Sequence, residues 1–274
     1  MIQKIIKGLY IFSIRMINKT LLAPIRAKKN FQQVFEKLYL IGLYGMNYGR
    51  ITDPVAGGEI SVLKFLNEEL HKKKGSQVIF DVGANVGDYI SLIKQFIIKS
   101  DIVIYAFEPG VSTFNILKNK FSDVSSIYPV NCGLGNNKSK MRLFKHPVST
   151  LSSLYEGHYG GSESYDEVDI LTIDEFCLVN DIYQIDFLKI DVEGHELAVL
   201  QGANNMIKER KINYIQFEFG HNVLSRTYFS DFYKLLSEHY KIYRVVKDGL
   251  VEIQKYDAKM LEIFVASNFL AELK

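Results

Sequence analysis

The sequence predicts an α/β fold whose central sheet is mostly parallel and covered on both faces. Three observations carry that prediction. From residue 77 onward, short apolar runs alternate with helix-like stretches, separated by Gly, Pro or Asn. The runs are apolar on consecutive residues, as strands buried on both faces require. The 274 residues, 47% hydrophobic and 23% charged, are enough to bury one large core.

Residues 1–50 precede the alternation and read as an amphipathic arm and a bridge, leaving 51–274 as the main domain. In the arm, Lys4, Lys7, Arg15, Lys19, Arg26, Lys28 and Lys29 all come before the first acid, Glu36. On a helical wheel Lys4, Lys7, Arg15, Asn18 and Lys19 share one face, opposite Ile2, Ile5, Ile6, Leu9, Phe12, Met16 and Ile17. That pattern fits a helix in a membrane interface through residues 1–30, and it equally fits one docked on the protein or on a second subunit. The apolar runs are too short to span a bilayer, and no small-residue cleavage site follows them. The glycine-rich stretch from 40 to 60 reads as an irregular bridge.

In the main domain, strand-like runs cover Gln77 to Gly83, Ile102 to Pro109, Ile127 to Leu134, Asp186 to Val192 and Ile212 to Gly220. Later runs lie near Lys241 to Val246 and Glu262 to Ser267. Helices are expected over Asp88 to Lys99, Val111 to Lys120, His195 to Lys208 and Ser230 to His239. Residues 135–185 interrupt the alternation, with strand-like "MRLFKHP" and "VDILTIDEF" around a polar, glycine-bearing stretch. An excursion of that length is expected to act as a lid or binding loop.

Composition excludes several functions. The net charge of +2 is too small to favour nucleic-acid binding, and Cys132 and Cys177 alone make neither a zinc cluster nor a disulfide framework. A reducing, cytoplasmic setting is the expectation, peripheral to a membrane if the arm binds one.

The first strand ends in "DVGANVGD", Asp81 to Asp88. Gly83 allows a sharp turn, Gly87 lets backbone approach a ligand, and the helix start offers free N–H groups. A dinucleotide fingerprint needs glycine at 85 and 88, where this chain has Asn85 and Asp88. The acid-x-G-x-(G/N)-x-G pattern, with Ala84 between Gly83 and Asn85, suits S-adenosylmethionine, which has no pyrophosphate to cradle. Glu108, ending the second strand, is placed to accept hydrogen bonds from ribose hydroxyls. Asn131, Cys132 and Gly133 end the third strand, where adenine would lie.

The motifs "VIFDVGANVGDY", "YAFEP", "VNCGLGN", "LTIDEF", "IDFLKIDVEGHELAVLQGA" and "IQFEFG", in this order, resemble the FkbM family of S-adenosylmethionine-dependent methyltransferases over roughly residues 55–220. The resemblance implies a seven-stranded class I methyltransferase fold, Rossmann-like, with an antiparallel last strand. It also implies O-methylation of a hydroxyl-bearing acceptor, commonly a sugar in a glycan or a secondary metabolite. No Asn-Pro-Pro-Tyr or Asp-Pro-Pro-Tyr tetrad and no Pro-Cys nucleophile points to base methylation.

In such a fold "LKIDVEGHEL" would face the transferred methyl group. Asp191 is then a general base, or with Glu218 a ligand to Mg²⁺; Glu193 and His221 lie nearby in sequence. His195 titrates near neutral pH and is a base in its own right. Glu196 is accounted for by the helix dipole. Lys189 shares a strand face with Asp191 and is expected to pair with Asp191 or Glu218. Ser152, Ser153, Tyr155, His158 and Tyr159 of the insertion offer surfaces suited to carbohydrate. Two other readings remain at this level: a non-catalytic S-adenosylmethionine-binding scaffold, and a nicotinamide-dependent sugar oxidoreductase, with which Asn85 and Asp88 conflict.

Overall fold

The computed structural model describes residues 12, 13, 15–49, 53–99, 101–158 and 164–274. Residues 1–11, which carry much of the arm's amphipathic pattern, and Tyr159 lie outside the described residues. The chain divides into two units, Met1–Met46 and Asn47–Lys274.

In the first unit the described residues form a helical stretch over 15–20, a 3₁₀ turn Lys29–Phe31 and a helix Gln32–Gly45. Phe12, Met16, Ile17 and Leu21 are exposed, as are Leu38, Tyr39, Leu40, Ile41 and Tyr44 of the longer helix. No helix among the described residues is long and apolar enough to cross a membrane.

The second unit is built on β1 (Gln77–Val82), β2 (Ile102–Phe107), β3 (Ile127–Val130), β7 (Ile185–Ile190), β8 (Ile212–Phe219), β9 (Tyr240–Val246), β10 (Gly249–Glu252) and β11 (Ser267–Leu273). They form one sheet in the order β10-β9-β11-β8-β7-β1-β2-β3. The five strands from β8 to β3 are parallel, and β11 runs antiparallel to both β8 and β9. The expected parallel core and antiparallel last strand are therefore present. An eighth strand, β10, adds to the seven by folding back on β9 through a two-residue turn. The final strand also lies later than the run Glu262 to Ser267: the Glu262 carboxylate is occupied, accepting from the Phe229 and Ser230 N–H groups at the start of the helix Phe229–Leu236.

The run Ile127 to Leu134 divides between two sheets. After β3, residues Gly133–Leu134 (β4) pair with β6 (Tyr165–Leu171), which pairs with β5 (Ser139–Phe144). This three-stranded sheet organises the insertion. The helix expected over His195 to Lys208 is broken into Glu196–Gln201 and Asn204–Lys208. Gly202 at the break lies so close to the Gly135 carbonyl that a Cβ would overlap it, and the Asp174 carboxylate caps the Asn205 and Met206 N–H groups.

One face of the main sheet buries Ile79, Phe187, Tyr214 and Leu270 against Val62, Leu66, Ile90 and Ile93 of the covering helices Glu59–His71 and Asp88–Phe96. Period-2 alternation then puts Asp81, Lys189, Asp191, Gln216, Glu218 and Asn268 on that same face, toward the carboxyl ends of the parallel strands. On the other face Phe80, Phe107 and Phe176 pack with ring centroids 4.8–5.7 Å apart. Strand order reverses between β1 and β7, the place where open α/β sheets leave a crevice.

Candidate active site

The crevice is a cleft of about 750 Å³ lined by Glu59, Gly83, Ala84, Asn85, Tyr89, Lys189, Asp191, Glu193, Glu218 and His221 among others. A smaller cavity of about 70 Å³ adjoins it, bounded by Glu108, Pro109, Gly133, Leu134 and Leu143. Gly83, Asn85, Thr150, Asp191 and Glu193 border both.

Gly83 makes the turn after β1 at φ 84°, and a Cβ there would sit 1.8 Å from the Asp191 carbonyl oxygen. Glycine thus lets β1 and β7 stay paired to their ends, with Asp191 N–H donating to the Val82 carbonyl at 3.0 Å. Gly87 has another reason to be glycine than approach to a ligand. It borders neither cavity; its φ is 80°, and a Cβ would meet Phe121 at 2.4 Å and Leu117 at 2.8 Å. Asn85, at φ 47°, presents its N–H to Glu108.

Glu108 organises the end of β2. Its carboxylate accepts from Asn85 N–H at 2.9 Å, Gly110 N–H at 2.8 Å and the Thr113 hydroxyl at 2.7 Å. Burial raises its pKa, and those three donors pull it back. Asn131 donates to the carbonyls of Glu108 and Pro109, so it shapes the turn; neither it nor Cys132 borders a cavity. Burial pushes the Cys132 thiol up to about 12.

The polar seam converges on Lys189. Its ammonium donates to Asp191 Oδ2 at 2.8 Å and lies 4.5 Å from the Tyr89 ring centroid. Burial disfavours that charge, but Asp191, Glu59 and Asp81 outweigh burial and raise the pKa. The pairing expected of Lys189 is thus made with Asp191. Lys189 is only 5% exposed and Asp191 36%, so the pair presents a carboxylate to the cleft and keeps its cation inside.

Asp81 is buried and borders neither cavity; among the described residues neither of its oxygens accepts a hydrogen bond. Burial raises its pKa to about 6, against the pull of Lys189. A carboxyl whose folded pKa is raised stabilises most below its unfolded value and loses that stability as pH rises through the folded one. Between pH 4.5 and 7.5 the loss is on the order of 2 kcal/mol. In urea unfolding the stability of Asp81→Asn relative to the parent is therefore expected to rise by about 2 kcal/mol from pH 4.5 to pH 7.5. Equal differences at both pH values would remove the unpartnered charge from the account.

His195 does not serve the cleft. As the residue before the helix Glu196–Gln201 it turns inward, where Nδ1 meets the Tyr155 hydroxyl at 2.9 Å and Nε2 lies buried, 3.0 Å from where a Cβ on Gly135 would be. Burial pushes its pKa down to about 4, leaving a neutral ring away from solvent. Glu196 does more than meet a helix dipole: Oε1 accepts from the Val192 and Gly194 N–H groups and Oε2 from Asn222, clamping the loop after β7.

That loop carries Glu193 at φ 53° and Gly194 at φ 102°. Glu193 Oε2 lies 3.0 Å from both His158 Nε2 and His221 Nδ1, and His221 Nδ1 lies 2.7 Å from Glu218 Oε1. Burial opposes charge on His221, but hydrogen bonds and charge from Glu193 and Glu218 prevail and raise its pKa to about 11. Glu218, deeper, is pushed up by burial to about 8 despite His221.

A Mg²⁺ ion shared by Asp191 and Glu218 does not fit this arrangement. Mg²⁺ takes an octahedral oxygen shell, whereas Asp191 is bound to Lys189 and Glu218 to His221. Sequence reasoning passed over Glu59, Tyr89 and Gln216, which complete the seam: the Tyr89 hydroxyl donates to Gln216 Oε1 at 3.3 Å, and burial raises the Glu59 pKa to about 7. The break in β8's apolar pattern at Gln216 is the one signal that could have found it.

The family model "Methyltransferase FkbM domain" matches residues 81–244. The chain is 28% identical over 182 residues to "Hexuronic acid methyltransferase AglP" of Haloferax volcanii, covering 66% of this chain and 69% of that protein. It is 29% identical over 147 residues to "Methyltransferase 1" of Beauveria bassiana, covering 46% and 58%. Among solved structures, a methyltransferase FkbM from Methylobacillus flagellatus KT aligns with a TM-score of 0.46 at 20% identity, over 72% of this chain and 43% of that one.

Proposed function

The chain belongs to the FkbM family of methyltransferases, and from that premise we propose that it transfers the methyl group of S-adenosylmethionine to a sugar hydroxyl. The observation that carries this reading is the Lys189–Asp191 pair, which holds a carboxylate at the cleft wall on a buried cation. An alcohol needs such a group, because its proton must leave as the new bond forms; a carboxylate acceptor does not.

The residues present fit the cofactor. The small cavity beside Glu108, walled by Pro109, Gly133, Leu134 and Leu143, offers one polar and several apolar contacts to part of a nucleoside, the rest of which would lie in the adjoining larger cleft. Asn85 and the turn at Gly83 connect it to the larger cleft. When bound, the cofactor supplies an electrophilic methyl on sulfonium, so the chain's task is positioning and proton removal. Asp191 would take the proton of the acceptor hydroxyl as the methyl group is transferred. Lys189 orients Asp191, and Glu196 fixes the adjoining loop. A sugar is supported by the likeness to the hexuronic acid methyltransferase of Haloferax volcanii and by the hydroxyl-rich insertion segment, whose Thr150 and Leu151 line the cleft.

Calorimetric titration should give saturable binding of S-adenosylhomocysteine and none of NADH. Transfer of labelled methyl to uronic acids and neutral hexoses should then give an alkali-stable ether. An alkali-labile methyl ester as the sole product overturns the hydroxyl reading.

We also propose that residues 1–30 hold the enzyme at a membrane surface, supported by the arm's segregated cations and by exposed Phe12, Met16, Ile17 and Leu21. Deleting them should abolish cosedimentation with anionic liposomes while S-adenosylhomocysteine binding persists. Unchanged cosedimentation sinks the idea.

A further inference from the structure

We propose that His158, Glu193 and His221 form a binding site for a divalent transition-metal ion of the zinc class, opening onto the cleft. His158 Nε2, Glu193 Oε2 and His221 Nδ1 all lie within 4.8 Å of one another, with Glu193 Oε2 3.0 Å from each nitrogen. Ligands held roughly 2.0–2.1 Å from a four-coordinate zinc are about 3.3 Å apart, so small outward movements admit an ion. The two imidazole rings lie at a centroid distance of 5.7 Å and an interplanar angle of 73°, a separation compatible with both binding one ion.

The donor set determines the class of ion. Two imidazole nitrogens and one carboxylate favour zinc or a neighbouring first-row metal over Mg²⁺ or Ca²⁺, which take oxygen shells. Glu193 brings one negative charge to the ion, and Glu218 Oε1, 2.7 Å from the same His221 Nδ1, gives up that contact when the nitrogen turns to a metal. The site is supported from behind, since the Ser153 hydroxyl donates to the Glu193 carbonyl and Glu196 holds the Val192 and Gly194 N–H groups. Three protein ligands leave a coordination position, and because Glu193 and His221 line the cleft, that position faces the space assigned to the acceptor.

Binding of the ion is separate from methyl transfer and measurable with neither cofactor nor acceptor. The full-length protein, stripped with a chelator and dialysed, is titrated with ZnCl₂ by calorimetry and with Co²⁺ by visible absorption. One zinc per chain is expected, with cobalt bands showing nitrogen coordination. His158→Ala and His221→Gln should each weaken zinc binding at least about tenfold. His158 lies on the insertion loop, so its variant keeps the test decisive if substitution at His221 impairs folding. Stoichiometric zinc binding unchanged in His158→Ala, or no saturable binding by the parent protein, overturns the site and leaves the three residues as a hydrogen-bonded network.

Discussion

Asp191→Asn lowers kcat by roughly 10²- to 10⁴-fold, the range of a positioned general base, while S-adenosylhomocysteine affinity stays near that of the parent. The amide keeps the shape of the carboxylate but cannot take the acceptor proton. The same change leaves Lys189, buried beneath the Tyr89 ring, without its anion. Removing one partner of a fully buried pair destabilises by about 3–5 kcal/mol; with Asp191 a third exposed, roughly 1–3 kcal/mol is expected. The double variant Lys189→Met with Asp191→Asn separates the two effects. Its melting temperature should recover toward the parent's while kcat remains low. Recovery of activity together with stability would show that Asp191 acts only as scaffold.

Glu108→Ala weakens S-adenosylhomocysteine binding by on the order of 100-fold. The carboxylate ties together Asn85 on the β1 loop, Gly110 and Thr113. Losing two charge-assisted bonds to backbone N–H groups is worth roughly 3 kcal/mol. Glu108→Gln should lie nearer to the alanine variant than to the parent, because its NH₂ must face one of the three donors. Calorimetry on both variants decides: an unchanged dissociation constant for Glu108→Gln removes the carboxylate from cofactor recognition.

The mostly parallel sheet could be anticipated because buried parallel strands must be apolar on both faces and such runs are local in sequence, whereas the strand order with its reversal at β1 and β7 comes from pairing between distant segments. Lys189 could be placed beside Asp191 for the same local reason, since alternation fixes the face of a strand residue. His195 and Glu196 could not be placed. Positive φ at Glu193 and Gly194 redirects the chain after β7, so His195 turns toward Tyr155 and Glu196 beneath the loop. Gly87 was legible as a glycine and not in its cause, because the ring of Phe121 that excludes a Cβ comes from another element.

The sequence by itself determined the parallel α/β sheet, the glycine turn after the first strand, the carboxylate ending the second and the common strand face of Lys189 and Asp191. Each of these is written in periodicity or in a contiguous motif. Tertiary structure alone decided that Glu59, Tyr89 and Gln216 close the polar seam. It alone gathered His158, Glu193 and His221 from the insertion and the ends of β7 and β8. Those meetings depend on where separate elements pack and on backbone turns that redirect side chains, and neither leaves a repeating pattern along the chain.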